Sequence, residues 1–222
     1  MTETLDKLDD LDGGLAAERF VFDDADWRFY ELVLRKVGHR RVFVTFDGER
    51  LEVMSPSFRH DVSAERIGTL VRHVLNHLRR PFVAAGSFTL KGRKSNRGLE
   101  PDRCFYIRSV GSVEGKREVD LNRDPPPDLA IEVEVSRRLL DRIDIYRRLA
   151  VPEVWCYDGR RLKVLTLEDR ERYVDAPRSA ALPELLPDTV HRLVQQSWGM
   201  NDMAWTDLVQ QWIGENLPPR EP

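Results

Sequence analysis

The chain lacks any run of about eighteen apolar residues, so the sequence offers no membrane-spanning helix. Only two of its 222 residues are cysteine, Cys104 and Cys156. They lie far apart in strand-like runs, which argues against a disulfide framework and for a reducing, cytoplasmic setting. There is no glycine-rich phosphate loop and no nucleophile elbow, so neither a nucleotide-type organic cofactor nor an elbow-serine hydrolase is expected. Repeats and low-complexity tracts are missing as well, which excludes solenoids and propellers. The opening "MTETLDKLDDLDGG" has no apolar signal-peptide core, and its acidity marks residues 1–19 as a disordered lead-in. Net positive charge is also absent: the formal balance is −3, so attraction to a polyanion must come from local patches.

Two such patches exist. "KGRKSNR" (91–97) holds four cations, Lys91, Arg93, Lys94 and Arg97, and "RRLLDRIDIYRR" (137–148) holds five arginines. Each alone reads as solvated surface. Beside an acidic site they would be a footprint for a phosphate backbone. With 41% hydrophobic and 33% charged residues, the chain otherwise reads as a globular domain with a small appendage.

Periodicity supplies the elements. Residues 24–37 read as a helix with Asp24 as a possible cap, and "RRVFVTFDGERLEVM" (40–54) as a hairpin turning at Asp47-Gly48. Residues 57–78 carry a helical stripe of Ile67, Leu70, Val71, Val74, Leu75 and Leu78. Residues 82–91 and 100–109 read as two strands joined by the basic loop, and 110–124 as a charged flexible loop. A strand follows from Asp128, then a helix of about 137–149 capped by Ser136, two or three strands over 151–174, a covering loop at "LPELLP" (182–187), and a last helix over 202–216. Trp205 and Trp212, seven apart on that helix, have the spacing of packing or of a dimer contact.

The chemistry concentrates in "PDLAIEVEVSRRLLDRIDIYRRL" (127–149). Strand alternation sets Asp128, Ala130, Glu132 and Glu134 on one face, opposite a core face running from Leu129 to Val135. Unpaired carboxylates are expensive to bury, so that face is either wet or holds a cation. Same-strand residues four apart lie roughly 13 Å apart, whereas oxygens on one magnesium lie about 2.1 Å from it. Asp128 and Glu132 therefore do not share an ion, and a second ligand is expected from a neighbouring strand, with Asp102 the nearest candidate. His60 either approaches such a site or caps its helix. His73 and His77 are four apart, but "HVLNH" lacks the glutamate of HExxH, so zinc is not expected.

"LEVMSPSFRHD" (51–61), "EPD" (100–102), "PPDLAIEVEVS" (126–136) and "YRRLAVPEVWCYDG" (146–159) occur in the order found in the Uma-type restriction endonuclease family, and the chain resembles that family over about residues 20–215. The family belongs to the PD-(D/E)XK nuclease superfamily. The resemblance implies a core of helix, three strands, helix, strand, binding Mg²⁺ or Mn²⁺ and hydrolysing phosphodiesters. Asp102 then matches the aspartate of the PD motif and Glu132 the first acid of the (D/E)XK motif. Glu134 stands where the superfamily often has lysine, and Arg142 matches the lysine that relatives carry on the following helix. The helix-one acid maps to Asp61 or Glu65. Arginine can offset phosphate charge but cannot act as a base, which leaves Glu134 as metal ligand or water-activating base.

The expectation is a mixed α/β, restriction-endonuclease-like fold: a central sheet flanked by helices, with an N-terminal helix and hairpin and a C-terminal helical appendage over 201–222. The leading function is a metal-dependent DNA endonuclease working as a homodimer, with Lys91, Arg93, Lys94 and Arg97 along the DNA approach. A module that keeps the fold and binds nucleic acid without cutting is the alternative. A protein-interaction domain using the Trp205–Trp212 face is the third.

Overall fold

In the computed structural model, residues 18–38, 40, 42–134 and 140–219 are described. The expectations for residues 1–17, for Ser136 as a helix cap, for the start of the following helix with Arg137 and Arg138, and for residues 220–222 lie outside them. In chain order the elements are β1 (Glu18–Phe22), α1 (Trp27–Val37), β2 (Phe43–Phe46), β3 (Leu51–Ser55), α2 (Phe58–His77), β4 (Val83–Ala85), β5 (Leu90–Gly92), β6 (Arg97–Leu99) and β7 (Arg103–Tyr106). Then come β8 (Leu129–Val133), α3 (Arg142–Arg148), β9 (Glu153–Tyr157), β10 (Leu162–Glu168), β11 (Arg172–Ala176), α4 (Pro187–Gln196) and α5 (Asp202–Asn216).

The strands form two sheets, ordered β1-β3-β2-β6-β5 and β11-β10-β9-β8-β7-β4. In the larger sheet β7 and β8 are antiparallel, while β8 and β9 are parallel with α3 between them in sequence. The run α2, β4, β7, β8, α3, β9 is thus the helix, three strands, helix, strand that the family resemblance implies, and the fold is mixed α/β as expected.

Local chemistry sets the boundaries. Asp26 caps α1 by accepting from Phe29 N at 2.7 Å, so the helix starts later than Asp24, which sits at a left-handed φ of 55°. Asp47 closes the β2–β3 turn through Glu49 N and Arg50 N, and Gly48 supplies the positive φ of 96° that the turn needs. Ser57 caps α2, and Asp141 caps α3, which begins at Arg142.

Every residue of β8 is buried. One face, with Leu129, Ile131 and Val133, joins Ile67, Leu70 and Val74 of α2 and apolar residues of α4 and α5 in the main core. The other face, with Ala130, lies under Ile145, Tyr146 and Leu149 and against Leu90 and Leu99 of the smaller sheet. The acid-bearing face is therefore neither wet nor a plain solvent face. A parallel β8–β9 pair covered on both sides leaves it dry.

Several sequence expectations need correction. The stretches 82–91 and 100–109 are not two long strands. They break into β4 and β7 of the larger sheet and β5 of the smaller, and the basic loop is the turn of the β5–β6 hairpin. β1 and α4 were not anticipated. Pro187 sits at the start of α4, where its missing N–H costs nothing, rather than ending a loop. Trp205 and Trp212 are both buried in the main core, and Trp205 Nε1 donates to Leu193 O at 3.0 Å. They anchor α5 on α2 and α4, so the Trp205–Trp212 face is not available to a partner.

Candidate active site

Asp102 lies where the chain crosses from β6 in the smaller sheet to β7 in the larger. Its Oδ2 accepts from Val133 N, the last residue of β8, at 2.7 Å. The same oxygen lies 3.2 Å from His60 Nε2, on the first turns of α2. Glu132 is next to Val133, on the face covered by α3. Its Oε1 accepts from Arg142 Nη2 at 2.7 Å and also from the Tyr146 hydroxyl. Arg142 and Tyr146 are four apart on α3, so one helical face delivers both donors. Arg142 reaches further: Nη1 donates to Thr45 Oγ1 on β2 and Nη2 to Glu100 O, each at 2.6 Å.

The cluster is closed over. Asp102 and Glu132 are each 2% exposed, His60 3% and Arg142 5%. Burial alone would raise the Asp102 carboxyl, but the His60 ring, the Arg142 charge and the Val133 N–H outweigh it and hold the pKa below the usual carboxylate value. Burial works against a charged His60 imidazole, yet Asp102, Glu132 and Asp61 together raise its pKa. Burial and the Glu132 charge push the Tyr146 hydroxyl up, which keeps it a proton donor. Burial disfavours the Arg142 cation, and Glu132 more than restores it.

The sequence-named residues fall into three groups. Asp102, Glu132, Arg142 and His60 meet in one cluster. Asp61 adjoins it, its Oδ1 lying 3.7 Å from His60 Nδ1. Glu65 points elsewhere: it takes Arg103 Nη2 at 2.6 Å and Thr69 Oγ1 at 3.1 Å, and these bonds with the Arg103 charge outweigh burial and lower its pKa. Glu134 lies one step past β8, where its N–H donates to Tyr157 O at 2.7 Å. Asp128, as expected, serves elsewhere, accepting from Ile107 N, Ser109 N and Ser109 Oγ. His73 bonds Gln210 and His77 bonds Pro218 O, so both fasten α2 to the C-terminal part of the chain. Thr45, Tyr146 and the Glu100 carbonyl were missed. Only Tyr146 carried a signal, its four-residue spacing from Arg142.

The donor set fits a divalent ion. The contacts of Asp102 with Val133 N and His60 both fall on Oδ2, and the side chain is nearly closed to solvent. Two carboxylates, Asp102 just before β7 and Glu132 on β8, lie near one guanidinium, that of Arg142. Among the described residues no group of three acidic, histidine or cysteine side chains forms a ready-made cage. A magnesium-sized ion does not need one: it is held by one or two carboxylates and completes its shell with water and substrate oxygens.

Two surfaces adjoin the cluster. A cleft of about 1040 Å³ is lined by Asp61, Glu100 and Phe43 among others, and His60 packs on Phe43 with ring centroids 6.0 Å apart. Neither Asp102 nor Glu132 lines this cleft, although His60, which packs on Phe43, contacts Asp102. The β5–β6 hairpin packs at the end of α3: a Cβ on Gly92 would come within 3.2 Å of Leu149 Cδ2. Arg97 there feels burial first and then the charge of Arg148, with Arg147 adding to it. The basic patches at 91–97 and 147–148, separate in sequence, are neighbours in the fold. Lys91 Nζ is 3.5 Å from Glu31 Oε1.

A family model described as "Uma2: putative restriction endonuclease" matches residues 29–195. The chain belongs to the Uma2 family. The Uma2 match takes in His60, Asp102, Glu132, Arg142 and Tyr146, and ends within α4, leaving α5 outside. A solved structure that matches is titled as a putative nuclease belonging to DUF820 from Anabaena variabilis ATCC 29413; it is 13% identical, covers 68% of this chain and 90% of its own, and has a TM-score of 0.48. No curated protein matches the chain. No helix among the described residues is long and apolar enough to cross a membrane.

Proposed function

We propose that the chain is a divalent-metal-dependent endonuclease that hydrolyses phosphodiester bonds in DNA. The observation that carries this reading is that Asp102, just before β7, reaches β8 beside Glu132: its Oδ2 accepts at 2.7 Å from the N–H of Val133, the residue after Glu132, and both carboxylates act on His60. Asp102 and Glu132 would hold Mg²⁺ or Mn²⁺. Such an ion, when bound, lowers the pKa of a water and offsets charge on the scissile phosphate.

The chain's own residues do the rest. Arg142 and Tyr146 fix one Glu132 oxygen, which orients the carboxylate. His60 and the Val133 N–H do the same for Asp102. Glu134 either completes the ligand shell or takes a proton from the attacking water. Arg142 adds positive charge beside the phosphate, and Lys91, Arg93, Lys94 and Arg97, with Arg147 and Arg148, bind the DNA backbone. The proposal includes a cytoplasmic homodimer.

A non-cleaving, DNA-binding module is the second reading, favoured by one observation. Both terminal nitrogens of Arg142 are engaged by protein acceptors, and arginine cannot serve as a base. Plasmid cleavage with Mg²⁺ or Mn²⁺ separates the two. The nuclease nicks or linearises plasmid, and Asp102→Ala and Glu132→Ala abolish this; metal-dependent cutting that survives both changes sinks the assignment.

A further inference from the structure

The cleft beside the carboxylate cluster has a composition that a duplex backbone does not need. Phe58, the first residue of α2, is 80% exposed, and Trp198, in the turn between α4 and α5, is 39% exposed; both line this cleft. The cleft's cations are largely spent on its own acids. Arg103 pairs with Glu65 at 2.6 Å and Arg66 with Asp202 at 2.5 Å. Self-neutralised ion pairs give little net pull on phosphate. The α3–hairpin cations are partly paired too, Arg147 and Arg148 with Asp144 and Lys91 with Glu31, so it is the exposed rings that set the cleft apart. Two aromatic rings beside neutralised walls suit a flat, uncharged, polar-edged group. In a polynucleotide that group is a base out of its stack.

Position agrees with composition. Asp61 and Glu100 line the same cleft. Asp61 adjoins His60, and the Glu100 carbonyl accepts from Arg142. A base in the cleft would therefore belong to a strand whose phosphate lies toward Asp102 and Glu132. The volume, about 1040 Å³, is at the upper end for small-ligand pockets and accommodates a nucleotide.

We propose that this cleft is a binding site for an unpaired nucleotide, with its base stacked on Phe58 and Trp198, so that the enzyme prefers single-stranded or locally unpaired nucleic acid over intact duplex. This rests on the nuclease reading and names its substrate class. Both rings are exposed, so removing either leaves the core untouched.

The test measures metal-free binding of a fluorescent single-stranded oligonucleotide and of the matching blunt duplex, with 2-aminopurine in the single strand to report stacking. The wild type is expected to bind the single strand more tightly and to change the 2-aminopurine signal. Phe58→Ala and Trp198→Ala should each weaken single-strand binding by about tenfold, the size of one base–aromatic stack, and leave duplex binding unchanged. Equal affinity for the two forms, or an unchanged preference in both variants, overturns the cleft assignment. Metal-dependent cutting that Asp102→Ala abolishes would still uphold the nuclease in that case. No binding to either form, together with no cutting, overturns the nuclease reading and the cleft with it.

Discussion

Arg142 Nη2 sits 2.7 Å from Glu132 Oε1, and both side chains are shut away from solvent. Ten positions and a strand-to-helix crossover separate them in sequence. The pairing explains how an acid survives on the covered face of β8: its charge is met by a cation from the helix that covers it.

Removing that cation strands the acid. Arg142→Met should lower unfolding free energy by about 3–5 kcal/mol, the cost of breaking a buried pair from one side. Tyr146→Phe, which removes one hydrogen bond to the same oxygen, should cost about 1.5–3 kcal/mol. Urea denaturation of the single and double variants checks both. The pair is expected to be strongly non-additive, because both donors act on one oxygen.

Asp61 and Glu65 should separate in function. Asp61 adjoins His60, whereas Glu65 is committed to Arg103. Asp61→Asn is expected to weaken Mn²⁺ binding in calorimetry and Glu65→Gln to leave it unchanged. Glu65→Gln should show instead in acid stability. The folded-state pKa of Glu65 lies below its unfolded value, so its contribution is present above the unfolded carboxyl pKa, about 4.3. It is lost as pH falls through the folded value. The stability gap between wild type and Glu65→Gln should therefore close on acidification, and a gap that widens would contradict the pairing.

The cations of the β5–β6 turn should act through salt. Lys94→Ala with Arg97→Ala is expected to weaken duplex binding across sequences and to flatten the log–log salt dependence by about 0.9 for each phosphate no longer neutralised. Anisotropy titrations over a range of salt check the slope. An unchanged slope would remove this turn from the DNA path.

Local signals made much of this legible in sequence. The Asp47-Gly48 hairpin, the α2 stripe and the β8–α3–β9 unit each carry their pattern within a short window, and strand geometry alone separated Glu132 from Asp128. The α4 helix hid because its cap residue, Leu186, makes no side-chain bond and Pro187 looks like a stop. The three-residue strands β4, β5 and β6 hid because their pairing is decided by which sheet they reach. Thr45, 97 positions from Arg142, had no local signal. That a protein cation, Arg142, also meets the acid on this face needed the fold.

The central claim is that Asp102 and Glu132 share one divalent ion, and soaking crystals of the protein in saturating Mn²⁺ tests it most directly. The expected result is one anomalous peak within bonding distance of a carboxylate oxygen from each residue, about 2.1 Å for a magnesium-sized ion, and no peak there in Asp102→Ala. A structure at saturating Mn²⁺ with no peak between them, or with the metal bound elsewhere, would contradict the assignment.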